Sequence, residues 1–326
     1  MPTSMQEVHI DAPLSTFSVG VIEESPRVFG GFFPVTPTEH LSDKYQIIDR
    51  NPFLRGDSQP RIVGQESTGH VMTLSLDNFN CTRYDEHTDV DWDKIRNADN
   101  PRMLEEAATR LAVENLLMTQ EVLFATRFFV PSVWGTTIVG GAGFTKWSDA
   151  ASSNPIADVE AGRRAIRLGG GKLPNKLLLG WDAWVALKTH PTIMERIVAG
   201  GTPGSPAIIT KQAVAAVFEL DEIIVAEAVK ATNPVGAAET YDFVFGKHAL
   251  LAYVGANGEG DFMASAGRIF AWKGTNEGAV DEMGRTVAVT QFDIVERRIT
   301  RYEPGMALDF KITGTKLGYF LQDAAA

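Results

Sequence analysis

The hydrophobic positions of this chain change period several times. From residue 1 to about 40 they show little periodicity, and Pro2, Pro13, Pro26, Pro34 and Pro37 interrupt them. The pattern predicts an extended N-terminal arm whose Phe29, Phe32 and Phe33 need a neighbouring molecule to bury them. The competing reading is an N-terminal strand folded onto its own domain. Between 41 and 92, short apolar pieces alternate with turn residues. Tyr45, Ile47 and Ile48 lead into the turn signal Asp49-Arg50-Asn51-Pro52, and Val71, Thr73, Leu74 and Leu76 read as a returning strand. The polar stretch between them predicts a long hairpin that projects from the body.

The clearest periodic element follows. Asn100 precedes Pro101, the pattern puts Glu105 and Glu106 in the first turn, and neither Gly nor Pro interrupts the chain again before Pro131. An N-cap residue, a proline at the first helical position and acids near the positive end of the dipole predict a helix from Pro101 to Phe129. At 1.5 Å per residue it would be roughly 43 Å long. Leu104, Ala108, Leu111, Met118, Val122, Ala125 and Phe129 fall at three- and four-residue steps and predict one buried face, interrupted by Asn115. Leu111→Asp is then expected to prevent folding.

From about 150 to 275 the pattern is mixed. Asn154-Pro155 opens a helix that Gly169-Gly170-Gly171 stops. A buried strand at Lys176–Leu179 and a helix at Trp181–Lys188 follow, and His190-Pro191 breaks and restarts the latter. Thr210 caps another helix. Ile223–Ala226, Phe243–Phe245 and Leu250–Val254 read as strands, and Thr286 to Leu321 is β-rich. No internal repeat is visible.

Composition narrows the function classes. The chain has 326 residues, 44% hydrophobic and 22% charged, enough for one large domain or two closely packed ones. A net charge of -11 argues against a protein whose task is gripping phosphates. The single cysteine, Cys81, allows neither an intrachain disulfide nor a thiolate cluster. The N-terminus lacks the basic and apolar regions of a signal peptide, and no apolar run is long enough to span a membrane.

Candidate chemistry mostly dissolves on inspection. Gly169-Gly170-Gly171-Lys172 lacks the upstream Gly and the following Ser or Thr of a phosphate loop, because Ile166 and Leu173 stand there. Ala264-Ser265-Ala266-Gly267 has Met263 where a nucleophile elbow needs Gly. Asp89, Asp91 and Asp93 begin with calcium-loop spacing, but Lys94 takes the glycine position and Asn100 the final acid. The six histidines show no metal-binding spacing, and Arg55-Gly56-Asp57 is read as three ordinary loop residues. No cofactor or metal is expected, and no enzyme activity.

Several short motifs, in order, resemble the major capsid proteins of tailed bacteriophages. Phe29-Gly30-Gly31-Phe32-Phe33-Pro34-Val35-Thr36-Pro37 is similar to the segment that ends their N-terminal arm. Ser42-Asp43-Lys44-Tyr45 with Asp49-Arg50 resembles the start of their extended loop, and Arg96-Asn97-Ala98-Asp99 the start of their spine helix. Pro174-Asn175-Lys176 through Gly180, then His190-Pro191, resembles a segment entering their axial domain. The resemblance runs from about 28 to 255. It implies an α+β phage major capsid fold: an N-terminal arm at 1–40, an extended β-hairpin loop at 41–92, and a peripheral domain with the spine helix at 93–154. An axial domain at 155–275 and C-terminal strands at 276–326 that return to the peripheral domain complete it. That fold is shared with encapsulins and the herpesvirus capsid floor.

The resemblance also implies a function. The chain would assemble with itself, as pentamers and hexamers, into an icosahedral shell around a double-stranded DNA genome held without sequence-specific binding. Its place would be the virion, after assembly in the host cytoplasm. A separate scaffolding protein and a portal are expected partners, and a decoration protein is a further one. Lys44 matches no crosslinking lysine of that family. Arg50, Arg55 and Arg61 of the loop are expected to reach an acidic surface on the next subunit, with Asp89, Asp91 and Asp93 as contacts. An encapsulin-type compartment shell and an α/β enzyme with scattered catalytic residues are the alternatives.

Overall fold

The computed structural model describes residues 9–10, 14, 17–18, 28, 30–48, 55–56, 58–61, 63–64, 66–69, 74–199, 209–234, 236–255, 264–275 and 288–326. In chain order the strands are β1 (His9–Ile10), β2 (Val35–Thr38), β3 (Ser42–Ile48), β4 (Leu74–Asn80), β5 (Thr82–Asp85), β6 (Thr88–Asp91), β7 (Thr136–Val139) and β8 (Lys176–Gly180). They continue with β9 (Glu222–Ala226), β10 (Val229–Ala231), β11 (Tyr241–Phe243), β12 (Ala249–Ala252), β13 (Gly267–Trp272), β14 (Ala288–Ile294), β15 (Ile299–Ile312) and β16 (Gly318–Gln322). The helices are α1 (Trp92–Asn97), α2 (Pro101–Phe128), α3 (Pro155–Gly170), α4 (Trp181–Lys188), α5 (Pro191–Ala199) and α6 (Lys211–Val217).

Two sheets share one core. The first is organised by the 14-residue strand β15. Antiparallel β14 and then β13 line one edge of it, while β6 and then β5 line the other. The change from β6 to β5 falls at Pro304-Gly305 of β15. Proline has no N–H for a ladder, and Pro304 contributes only its carbonyl, to Glu86 N at 3.1 Å. A Cβ at position 305 would collide with the Asp85 carboxylate, so glycine lets β5 approach. The second sheet runs β7-β16-β12-β8-β9. Leu177–Leu179 of β8 and Ala249–Ala252 of β12 are fully buried, because helices cover both faces. Helix α3 lies across β12 and β16, where a Cβ on Gly162 would press on the Tyr319 ring at 2.9 Å.

Local signals set the helix ends. Asn154 accepts from Ala157 N and Thr210 from Ala213 N, and Gly171 takes a left-handed φ of 68° after α3. The long helix α2 runs Pro101–Phe128 and spans about 42 Å. Asn100 precedes it without a side-chain cap bond, and no acid lies in its first turn. Proline at the first turn therefore starts this helix alone.

The buried face of α2 follows the expected stripe only in part: Ala108, Ala125 and Phe129 are buried, but Leu111 is not. It comprises Thr109, Ala112, Val113, Leu116, Leu117, Gln120, Phe124 and Phe128, among others, against β15. Leu111 is 53% exposed and Asn115 exposed, so Leu111→Asp is no longer expected to prevent folding. The helix carries two apolar faces, and the three-and-four rule alone fits either.

Phe32 and Phe33 also depart from expectation. They are 0% and 1% exposed within their own chain. Phe33 lies 4.6 Å from the Phe128 ring and 5.9 Å from Phe124. Phe124 continues the cluster to Phe310 of the first sheet, and Phe129 extends it to Phe245 and to Phe320 of the second. This aromatic seam, not a neighbouring molecule, buries the end of the expected arm. β2 follows at once and pairs with β13. Phe29 lies outside the described residues.

The expected domain limits shift for the same reason. The projecting ribbon is β3–β4, so it ends at Asn80; β5 and β6 belong to the first sheet. The strand β13, expected with the axial part, also belongs to the first sheet, whereas β16 crosses into the second and pairs with β12 and β7.

Candidate interaction surfaces

The hairpin is anchored at one end only. Its β3 and β4 form a separate two-stranded sheet in register Ser42↔Asn80 to Ile48↔Leu74. Tyr45, Phe79 and Cys81 at the root pack on Phe270, with ring distances of 5.2 Å from Tyr45 and 4.5 Å from Phe79. The Tyr45 hydroxyl donates to Asp77 at 2.8 Å. Burial, then this carboxylate, holds the phenol well above its ordinary range, while the same bond lowers Asp77. Burial pushes the Cys81 thiol up to about 11, so it stays protonated and inert near neutral pH. Beyond the root a two-stranded ribbon is marginal alone. Arg55 and Arg61 are exposed at the distal end, as is Val63. Arg50 lies outside the described residues.

The acidic segment expected to receive a neighbouring loop is partly committed within the chain. Asp89 binds Arg301 in two-point geometry at 2.7 and 2.9 Å, and Arg301 holds its carboxyl below the usual range. Asp91 accepts from Asp93 N at 2.7 Å and caps α1. Asp85 binds Arg83. Asp93, Lys94 and Arg96 of α1 are exposed. The sequence could not show the Asp89–Arg301 pair, because 212 residues separate the partners.

Two apolar surfaces are exposed where the sequence reading placed none in solvent. One is the outer face of α2, where Met103 is 69% exposed, Leu111 53%, Ala107 exposed, and Met118 and Val122 half-buried. Arg110 and Glu114 pair beside it at 3.0 Å. The other joins α4 to the ribbon β10–β11, where Trp181 stacks on Phe243 at 6.2 Å beside exposed Tyr241.

Polar groups inside the body are used structurally. Ser153 Oγ and His190 Nε2 lie 2.9 Å apart, Ser153 donates to the Asp149 carbonyl, and His190 Nδ1 accepts from Thr192 N. With both ring positions so occupied, Nε2 carries the proton. His248 Nδ1 accepts from Asp323 N at 2.9 Å, between the Phe129 and Phe320 rings. Burial lowers both imidazole pKa values; at His248 the Asp323 carboxylate opposes this more weakly. Folded-state values below the unfolded one mean that the unfolded chain binds more protons in acid. The stability these residues contribute is present above about pH 6.5 and lost as pH falls through their lowered values. Melting temperature should therefore drop between pH 7.5 and 5. His248→Asn keeps an acceptor for Asp323 N without titrating, and its melting curve should depend less on pH. An equal acid shift in both proteins would contradict the assignment to His248.

No group of three or more His, Cys, Asp or Glu side chains is placed to hold a metal among the described residues. No helix among them is long and apolar enough to cross a membrane. A shallow hollow of about 380 Å³ lies between α1 and β14–β15, lined by Trp92, Arg96, Glu105 and Asp293 among others. Its hydrogen bonds are internal: Trp92 Nε1 donates to Thr300 Oγ1, which donates to Asp293.

Comparison with known proteins gives a sequence relative and several solved structures that superpose on this fold. No family model matches the chain. A protein named major capsid protein, from Burkholderia phage BcepMu, is 29% identical over 151 residues. The match spans about half of each, 46% of this chain and 47% of that relative. A phage-related protein of Bordetella bronchiseptica RB50 superposes with a TM-score of 0.71 at 20% identity, over 98% of this chain and 99% of its own. The capsid of cyanophage P-SCSP1u superposes with a TM-score of 0.57 at 13% identity, over 99% of this chain and 92% of its own.

Proposed function

We propose that this chain, which has the fold of a phage capsid subunit, is a major capsid protein that assembles with itself into the shell of a tailed-phage head. The observation that carries the proposal is the match to a phage major capsid protein in a chain that shares the fold of a cyanophage capsid nearly end to end. The geometry supports it. A two-sheet body holds a hairpin that leaves it at Asn80 and Ser42, with apolar and cationic side chains at its far end. Such a part gains apolar burial from a neighbouring copy. Head-to-tail contacts of this kind close into rings and shells. The protein acts structurally, without cofactor or catalysis, and encloses double-stranded DNA. A scaffolding protein, a portal and a decoration protein are the partners of this reading. Its setting is the virion, with assembly in the host cytoplasm.

The experiment is expression with the candidate scaffolding protein, followed by sedimentation and negative-stain imaging. Closed shells are expected. A small compact species at every concentration would overturn the reading, and shells filled with a protein cargo would turn it toward an encapsulin-type compartment.

The hairpin arginines give a second expectation. Asp89 is held by Arg301 and Asp91 caps α1, so exposed Asp93 is the acid better placed to meet Arg50, Arg55 and Arg61 of a neighbour. Exposed pairs contribute only ~0–1 kcal/mol each, but repetition over a shell multiplies the effect. The variant with all three replaced by Gln should fold normally, assemble more slowly, and show a weaker salt dependence. Assembly at the wild-type rate in both low and high salt would show that these arginines make no contact.

A further inference from the structure

The C-terminal end of α3 gathers positive charge in a chain whose net charge is -11. Ala157, Ala161, Arg164 and Leu168 recur at four- and three-residue steps and are all exposed, so this ridge of the helix is open along its length. Leu168 is 71% exposed. Arg164 stands about 40° from it around the helix axis, and Arg167 about 60° beyond Arg164. On the opposite flank Gly169 and Gly170 are bare, and Lys316 and Leu317 of the β15–β16 connection rest on them. The Lys316 Cβ lies 3.4 Å from where a Cβ on Gly169 would stand. Past the stop at Gly171 come Lys172 and Leu173, both exposed.

Arg164, Arg167, Lys172 and Lys316 are exposed and form no ion pair among the described residues. The nearby acids Glu160 and Glu219 both bond Arg163, at 2.6 and 2.7 Å. The helix dipole accounts for Arg167, which donates to the Gly171 carbonyl at 3.1 Å. It does not account for Lys316, which arrives from a distant part of the chain, or for exposed leucines among four cations. We propose that this surface docks an amphipathic helix of a partner protein, in which acidic residues flank leucine-sized apolar anchors. Carboxylates match the cations, and the guanidinium forks take them in two-point geometry. The anchors cover Leu168 and Leu173, as in other helix-on-apolar-surface contacts. A nucleic-acid backbone matches the charge but leaves both leucines in water, so the leucines select a protein. The patch does not pair with itself across a two-fold axis, because like charges would meet. This docking is independent of shell formation.

The test uses the full chain before assembly and a labelled synthetic helix of about 18 residues, with leucines at i and i+4 between glutamates. Saturable binding at low salt is expected, weakening as salt rises. Replacing the peptide's leucines by alanine, or its glutamates by glutamine, should each weaken binding about tenfold. Arg164→Gln with Lys316→Gln should do the same from the protein side, as should Leu168→Ser, with melting temperatures at the wild-type value. Lys188→Gln, an exposed cation on α4, should change nothing. Equal binding by the wild type and both patch variants, or no saturable binding at low salt, would overturn the docking. Tighter binding of a short duplex DNA than of the peptide, lost in Arg164→Gln with Lys316→Gln but kept in Leu168→Ser, would overturn it in favour of phosphates. Patch variants that bind the peptide as the wild type does yet lose self-association would overturn it in favour of a second copy.

Discussion

Leu116→Asp should abolish folding, where Leu111→Asp leaves the fold intact. The two residues lie on the same helix, five positions apart, with opposite environments. Leu116 is 2% exposed against the first sheet, and Leu111 is 53% exposed. A carboxylate at 116 would stand in the apolar core cluster, and burying one without a partner costs several kcal/mol. That is a large share of the ~5–15 kcal/mol that holds a typical protein. The measurement is soluble yield with circular dichroism. A native spectrum and melting curve for Leu116→Asp would show that α2 sits the other way round.

Phe33→Ala is the second large effect, expected at about 3–5 kcal/mol of lost stability. The ring stands against Phe32, Phe124, Phe128 and Trp134, and Gly267 of β13 is bare where a side chain would press on it. Removing it leaves a hole at the point where both sheets and α2 meet. For a chain of this size the melting temperature should fall by roughly 4–7 °C. The loss must appear in unassembled protein, because the partners belong to the same chain. A stability loss seen only in assembled particles would return Phe33 to the role of an arm contact.

Electrostatic pairs follow the same division between local and distant. Arg102–Glu106 and Arg110–Glu114 are four residues apart and were open to a helix reading. Asp89–Arg301 and Lys273–Glu39 were not, since each joins separate strands or turns. The acidic stretch therefore looked like an open surface in the sequence, although one of its acids, Asp89, is paired with Arg301 of β15.

The sequence by itself determined where elements begin and end. Pro101, the Asn154-Pro155 cap, the Gly171 stop, the His190-Pro191 break and the Thr210 cap act within a turn of themselves, so four or five consecutive residues contain the whole cause. It also determined the long helix, because nothing between Pro101 and Phe128 disfavours one. Only the tertiary structure decided which side of that helix is inside, since both sides are apolar and the choice belongs to β15, nearly 200 residues away in the chain. It likewise decided that Phe32 and Phe33 are core, that β13 joins the first sheet, and that β16 crosses to the second. Burial is a property of two surfaces, and for each of these residues the second surface lies far along the chain.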